Sequence, residues 1–198
     1  MATTESQDGA CLGHRPPRAA APSRWVVRFA AHIAPEAPVL DVACGSGRHA
    51  RLLLARGHPV TAVDRDLSEL EPPPGTPGLE AIAADLEAAP WPFAGRTFGA
   101  VVVTNYLHRP LFPHLIAALA PGGLLIYETF ARGNERFGRP RNPAHLLEEG
   151  ELIARVWGRL RILAYESNDW ERRAVVQRLC AVNDPERAPP SPLGGAND

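Results

Sequence analysis

The chain of 198 residues contains no lysine, because all 21 of its basic side chains are arginine. Chemistry that needs a lysine amine, such as Schiff-base formation, is therefore excluded. Cysteine is scarce as well, with only Cys11, Cys44 and Cys180, which lie far apart. This count excludes a disulfide framework and a cysteine zinc site, and it is typical of a reducing, cytoplasmic setting.

Long apolar runs are also missing. No stretch approaches the ~20 apolar residues needed to span a bilayer, and the first residues lack the basic start and apolar run of a secretory signal. The 21 basic side chains nearly balance 22 acidic ones, giving a net charge of −1. We therefore expect a cytoplasmic protein that binds neither a membrane nor nucleic acid through its overall charge. The oligomeric state is not indicated.

The length and the composition together predict one folded domain with two irregular ends. Residues 1–22 and 184–198 are rich in Pro, Ala, Arg and small polar residues and lack a periodic apolar pattern. Such segments cannot bury enough apolar surface to fold. A disordered arm over 1–22, a domain over 23–183 and a disordered tail over 184–198 are expected.

Within the domain, short Val- and Leu-rich runs alternate with helix-like stretches. Strands are predicted at 39–43, 59–63, 79–84, 100–104, 124–129, 159–166 and 172–182. Helices are predicted after a Ser23 cap and at 48–56, 110–120 and 145–156. This order predicts an α/β fold, a Rossmann-like doubly wound seven-stranded sheet. The sheet should be mostly parallel with an antiparallel last strand and helices on both faces.

Polar residues follow the first three predicted strands. Gly45 and Gly47 let the backbone turn tightly and approach a ligand after the first strand. Asp64 ends the second strand, where a carboxylate can accept both hydroxyls of a ribose. Asp85 and Leu86 follow the third strand and offer a hydrogen-bond acceptor and an apolar neighbour for an adenine ring. An adenosine-containing cofactor is the prediction.

The turn itself narrows the choice of cofactor. A dinucleotide site needs G-x-G-x-x-G to seat the pyrophosphate, and a phosphate loop needs Gly-Lys-Ser/Thr, and this chain has neither. Asp41, inside the first strand, would repel a pyrophosphate but would suit a ligand that carries an ammonium and a sulfonium group. S-adenosylmethionine (SAM) fits that description, and NAD does not.

Three segments carry a family resemblance: VLDVACGSGRHARLLLARGHPVTAVDRD, AADLE and NYLHRPLFPHLIAALAPGGLLIYE. They resemble the class I SAM-dependent methyltransferases, and among these the small bacterial enzymes related to the tellurite-resistance group. The resemblance extends from about Trp25 to Val182, with Ala43 where the family usually has the first glycine of its motif. It implies a cofactor site made of Asp41, Ala43, Gly45, Gly47, Asp64, Asp85, Leu86 and Asn105.

Candidate catalytic residues follow the fourth strand. Methyl transfer from a sulfonium depends mainly on alignment of the acceptor and exclusion of water, and a base is needed only if the acceptor starts protonated. His108 is the candidate base, because the ordinary histidine pKa of ~6.5 suits neutral pH. Tyr106 is the second catalytic candidate, as a residue that lines the pocket. The alternatives are a His108 that caps the following helix and a Tyr106 that only packs.

An arginine-rich loop over 131–143 follows the fifth strand. Arginine forks bind carboxylate, phosphate and other oxyanions with paired hydrogen bonds, so this loop is a candidate lid over an anionic acceptor. Its alternative is a solvated loop paired with nearby glutamates. The histidines show no metal-ligand spacing, and no metal is predicted. The substrate-binding candidates are Arg109, Glu128, Arg132, Arg136, Arg139 and Arg141.

These residues together predict a SAM-dependent methyltransferase with a small, anionic or polar acceptor molecule. A chalcogen oxyanion, as the resemblance implies, and a metabolite carboxylate, hydroxyl or amine are the acceptor classes considered. A tRNA, rRNA or protein methyltransferase is one alternative, although NYLH stands where an Asn-Pro-Pro-Tyr-type pocket would be expected. A SAM-binding regulatory protein without turnover is the other.

Overall fold

The computed structural model describes residues 20–168 and 174–186. Within them the chain forms one seven-stranded sheet with strand order β3-β2-β1-β4-β5-β7-β6. The strands are β1 Val39–Val42, β2 Val60–Asp64, β3 Leu79–Ala83, β4 Phe98–Thr104, β5 Leu119–Phe130, β6 Arg161–Asn168 and β7 Val176–Val182. The helices are α1 Arg24–Ala30, α2 Arg48–Leu54, α3 Phe112–Ala117 and α4 Glu151–Val156.

The strand directions confirm the predicted fold class. β1 pairs in parallel with β2 and β4, β2 with β3, and β4 with β5, whereas β7 runs antiparallel to both β5 and β6. The strand order reverses between β1 and β4, which is the switch point of a doubly wound sheet. Ligands of such sheets bind beyond the carboxyl ends of the strands at this point.

Two apolar clusters cover the two faces of the sheet, because alternate side chains of a strand point to opposite faces. Val39 of β1 packs in the cluster that contains α1 and α2, and Leu40 packs in the cluster that contains α3 and α4. Helices therefore lie on both faces, as predicted.

The start of α1 also follows the prediction. The Ser23 hydroxyl accepts a hydrogen bond from the Trp25 amide at 3.1 Å and caps the helix. The Trp25 indole Nε1 donates to the Leu179 carbonyl at 3.1 Å, and the ring is 4% exposed. The tryptophan thereby fixes the helix to β7.

Two predicted helices are shorter in the structure. The one predicted at 110–120 is a 3₁₀ turn followed by α3, and β5 already begins at Leu119. The Asn183 side chain donates to the carbonyls of Leu119 and Ala120, so the Pro-Gly-Gly stretch joins the sheet instead of forming a free loop. The helix predicted at 145–156 begins only after Gly150, whose φ of 68° is left-handed.

The predicted arm and tail fall mostly on residues 1–19 and 187–198, which lie outside the described residues, and remain predictions. No helix in the described part of the chain is long and apolar enough to cross a membrane.

The turn after β1 contains a strained residue. Ala43 has a φ of 53°, in the left-handed region. A residue with a Cβ pays about 1–2 kcal/mol for this conformation relative to the right-handed one.

We predict that Ala43→Gly raises the free energy of unfolding by about 0.5–1 kcal/mol, because relief of the strain exceeds the extra chain entropy of glycine. Urea denaturation monitored by circular dichroism measures the change. The matched control is Ala154→Gly on the exposed side of α4, which should lower the same free energy by about 1 kcal/mol. A loss of stability at both positions would contradict the prediction.

Candidate active site

A cavity of about 610 Å³ opens beyond the carboxyl ends of β1 to β5. Its volume lies within the range of ~300–1,000 Å³ that is common for small-molecule sites. It brings together six of the residues predicted from the sequence: Ala43, Asp64, Asp85, Leu86, Asn105 and Tyr106. The rest of its lining consists of Arg65, Ala84, Glu87, Leu107, Thr129, Phe130, Pro140 and His145.

Gly45 and Gly47 lie in the turn beside Asp64 but are not among the residues that line the cavity. The Gly45 amide donates to Asp64 Oδ2 at 2.8 Å, and a Cβ built on Gly45 would have no atom within 4 Å. At Gly47 a Cβ would lie 2.5 Å from the Glu71 carbonyl oxygen. Gly45 therefore leaves space beside the backbone for a ligand, whereas Gly47 is required by the packing of the following segment.

Asp41 lies behind the cavity and does not line it. Its side chain is 1% exposed, and among the described residues its Oδ2 atom has no hydrogen-bond partner. Burial raises the pKa of this carboxyl to about 7; the Ala50 amide and Arg48 oppose the shift. A cation placed near Asp41 would favour its ionised form.

His49 is part of the same buried layer. Its Nε2 accepts from the Ser23 amide at 3.1 Å, and its Nδ1 lies 3.4 Å from the Thr104 hydroxyl. Burial, with a smaller contribution from Arg48, lowers the pKa of the imidazole to about 3. His49 is therefore a neutral side chain that ties the start of α1 to α2 and to the end of β4.

Asp64 and Asp85 already organise their own loops. Asp64 Oδ1 accepts from the Asp66 amide at 3.2 Å, and Asp85 Oδ1 accepts from the amides of Glu87 at 2.9 Å and Ala88 at 3.2 Å. A carboxylate has about four lone-pair sites, so each retains acceptor capacity toward the cavity.

Tyr106 and His108 differ in their relation to the cavity. Tyr106 lines it, and burial together with the nearby Glu87 carboxylate raises the pKa of its phenol. Tyr106 is thus a hydrogen-bond donor at neutral pH. His108 is outside the lining, with its Nδ1 3.9 Å from Glu87 Oε2.

Four of the predicted substrate-binding residues have protein partners and do not line the cavity. Glu128 accepts from Arg178, and Arg132 donates to Glu148 at 2.9 Å. The Arg136 Nε donates to the Gly133 carbonyl at 3.1 Å. The Arg109 guanidinium donates to Glu151 and to two backbone carbonyls.

Arg139 and Arg141 are different. Both are exposed, neither forms an ion pair within the described ranges, and they flank Pro140, which lines the cavity. Among residues 20–168 and 174–186, no three His, Cys, Asp or Glu side chains are grouped so as to hold a metal ion.

Sequence reasoning missed several lining residues. Thr129 and Phe130 end β5, and their position at the carboxyl end of a parallel strand was a usable signal. Pro140 and His145 lie 10 or more positions beyond that strand, and nothing local in the sequence marks them.

The sequence matches a family described as a methyltransferase domain over residues 13–161. The chain belongs to this family. Membership confirms the predicted resemblance, the enzyme class and SAM as the methyl donor of this methyltransferase.

A curated relative of this methyltransferase is longer than the chain. Trans-aconitate 2-methyltransferase of Rhizobium meliloti (strain 1021) is 37% identical over 120 residues, which are 58% of this chain and 44% of that protein. The chain therefore spans less than half the length of this relative.

Solved structures share the fold. The N-methyltransferase NodS from Bradyrhizobium japonicum WM9, in complex with S-adenosylhomocysteine (SAH), superposes with a TM-score of 0.62 at 16% identity, covering 81% of this chain and 84% of that chain. TehB from Haemophilus influenzae gives 0.62 at 20% identity, covering 80% of this chain and 61% of that chain.

The raised pKa of Asp41 predicts a pH-dependent stability. The folded state keeps the Asp41 proton up to about pH 7, whereas the unfolded chain releases it near its ordinary value of 3.8. The contribution of this group is therefore full below about pH 4 and is lost as the pH rises to 7. The unfolding free energy of Asp41→Asn minus that of the unsubstituted protein should increase by about 2 kcal/mol as the pH rises from 5 to 8.

Urea denaturation at the two pH values measures this difference. The control is Asp66→Asn, because Asp66 is fully exposed and its pKa is lowered rather than raised. A difference between Asp41→Asn and the unsubstituted protein that stays constant with pH would refute the buried, protonated Asp41.

Proposed function

We propose that this methyltransferase transfers the SAM methyl group to a small anionic molecule whose carboxylate or similar oxyanion faces the loop after β5. The observation that carries the proposal is the separation of charge around one cavity. Three acids, Asp64, Asp85 and Glu87, outnumber one arginine, Arg65, at the ends of β2 and β3, so this side of the lining is net negative. His145 and the exposed segment of Arg139 and Arg141 lie beyond β5. A cationic cofactor and an anionic acceptor would match these two sides.

In the cofactor half, Asp64 would accept from the ribose hydroxyls, and Asp85 with Leu86 would hold the adenine. Asp41 would face the ammonium end through the glycine turn. Among the described residues its Oδ2 has no partner, and the positive charge of the ammonium would offset the raised pKa and favour the carboxylate. The open space beside Gly45 would let the ligand lie against the backbone. Asn105, with a φ of 56°, lines the cavity between the two halves.

In the acceptor half, the exposed guanidinium groups of Arg139 and Arg141 support binding of an oxyanion. The Rhizobium meliloti relative is named for trans-aconitate, a small polycarboxylate. Trans-aconitate is therefore a suitable first acceptor to test. A cytoplasmic enzyme with a small-molecule acceptor completes the proposal.

Bound SAM supplies an electrophilic methyl carbon and a neutral leaving group. With a carboxylate acceptor the new bond forms between carboxylate oxygen and methyl carbon, the carbon–sulfur bond breaks, and its electron pair stays on sulfur. No proton is released, so the protein needs only to orient the acceptor and exclude water. A base such as His108 would be required only for a protonated hydroxyl or amine.

Calorimetry tests the cofactor half. SAH and SAM should bind and NAD should not. Asp64→Asn should weaken SAH binding about 10–100-fold, because charge-assisted hydrogen bonds to the ribose are lost. Asp66→Asn, which removes a neighbouring charge outside the cavity lining, should bind SAH normally. Absence of SAH binding, or equal affinities for all variants, would refute this half.

Acceptor kinetics test the other half. The double change Arg139→Ala/Arg141→Ala should raise the KM for trans-aconitate at least about 10-fold with SAH affinity unchanged, since each charged hydrogen bond contributes about 1.5–3 kcal/mol. Arg132 and Arg136 already have protein partners and should contribute less. The control Arg56→Ala/Arg159→Ala removes two exposed charges elsewhere. Equal KM values in both double variants would contradict the assignment.

A further inference from the structure

Arg109 holds the backbone on both sides of one cavity residue. It lies in the 3₁₀ turn after β4 and reaches the loop over 142–148. Its Nη1 donates to the Ala144 carbonyl at 2.8 Å and its Nη2 to the Leu146 carbonyl at 2.9 Å. The residue between these two carbonyls is His145, which lines the cavity.

Glu151 holds the Arg109 guanidinium in the orientation in which it donates to these carbonyls. Its Oε1 accepts from Arg109 Nε and its Oε2 from Nη2, both at 2.8 Å, and Arg155 donates to the same carboxylate. Burial alone would raise the pKa of Glu151, but these hydrogen bonds and one from the Glu148 amide lower it to about 2. The carboxylate stays ionised, and the fork of Arg109 is held in one orientation.

Other contacts secure the same loop. The Asn142 side chain accepts from the Ala144 amide at 3.0 Å, and Leu147 forms a bridge with Ala131, directly after β5. Leu146 and Leu147 are fully buried. The backbone around His145 is thus held by four contacts, at Ala144, Leu146 and Leu147. His145 itself is exposed and lines the cavity.

We propose that His145 binds the anionic acceptor and that Arg109 is its positioning residue. This inference rests on the proposed function and names a residue of the same site. An imidazole donates a hydrogen bond in either protonation state, and it lies beside β5, away from the acids that follow β2 and β3. Arg109 acts through His145, because its own guanidinium is occupied by Glu151 and the two carbonyls.

The first readout measures ligand binding and does not require turnover. In the ¹H–¹³C NMR spectrum of the full chain, the His145 imidazole signal is assigned by its loss in His145→Gln. Addition of SAH, followed by trans-aconitate, should shift this signal. The His32 signal should stay in place, because His32 is exposed after the C-terminal end of α1 and does not line the cavity. The shift should be smaller in Arg109→Lys, which keeps the charge but cannot donate to both carbonyls and Glu151.

The second readout is kinetic. His145→Ala should raise the KM for trans-aconitate about 10–100-fold with kcat changed less, and His145→Gln should recover part of the loss through its amide donor. Arg109→Lys should also raise this KM. The His32→Gln control should match the unsubstituted enzyme.

The outcomes separate the two proposals. Failure of SAH to bind refutes the proposed function. Binding of SAH with a His145 signal that responds to neither ligand overturns the role of His145, whether or not trans-aconitate is methylated. A His145→Ala enzyme with unchanged KM overturns it as well. The role of His145 is supported if its signal responds to SAH and to trans-aconitate and if His145→Ala raises the KM for trans-aconitate.

Discussion

The hydrogen bond from the Gly45 amide to Asp64 joins the ends of β1 and β2, and the geometry of the whole site depends on it. Because the strands are parallel, their carboxyl ends meet at one edge, and the tight turn keeps that edge open. Ala43 accepts a left-handed conformation to make this turn. Asp41 is buried directly behind it. Local strain and a buried acid are concentrated where the cofactor half of the cavity begins.

The opposite side of the cavity is built by long-range contacts. Arg109, Glu151 and Arg155 form a charged cluster that ties the turn after β4 to the loop after β5. Partly buried ion pairs with several hydrogen bonds hold geometry better than isolated surface pairs, which contribute about 0–1 kcal/mol. This cluster fixes the position of His145 and leaves Arg139 and Arg141 exposed near it. In the proposed site, a cofactor half at the glycine turn therefore faces an acceptor half held by ionic contacts.

The sequence was sufficient to predict the fold and to bring several polar residues to one edge of the sheet, because those signals are local. Asp64, Asp85 and Asn105 each follow an apolar run directly, and parallel strands bring such residues to one edge. The acceptor half was harder to predict. Arg109 and Arg132 were expected to bind substrate, but an arginine binds whichever carboxylate the fold brings near it, and here these are Glu151 and Glu148. His145 lies in an irregular loop, and its position depends on contacts that are distant in sequence, such as that of Arg109 with Ala144, 35 positions away.

Transfer of a labelled methyl group measures the central claim most directly. The chain is incubated with methyl-labelled SAM and trans-aconitate, and in parallel with other small acids, tRNA and a protein extract. The account predicts label in the small-acid fraction as a methylated product, together with formation of SAH. Label only in tRNA or protein, or SAM bound without any transfer, would contradict it.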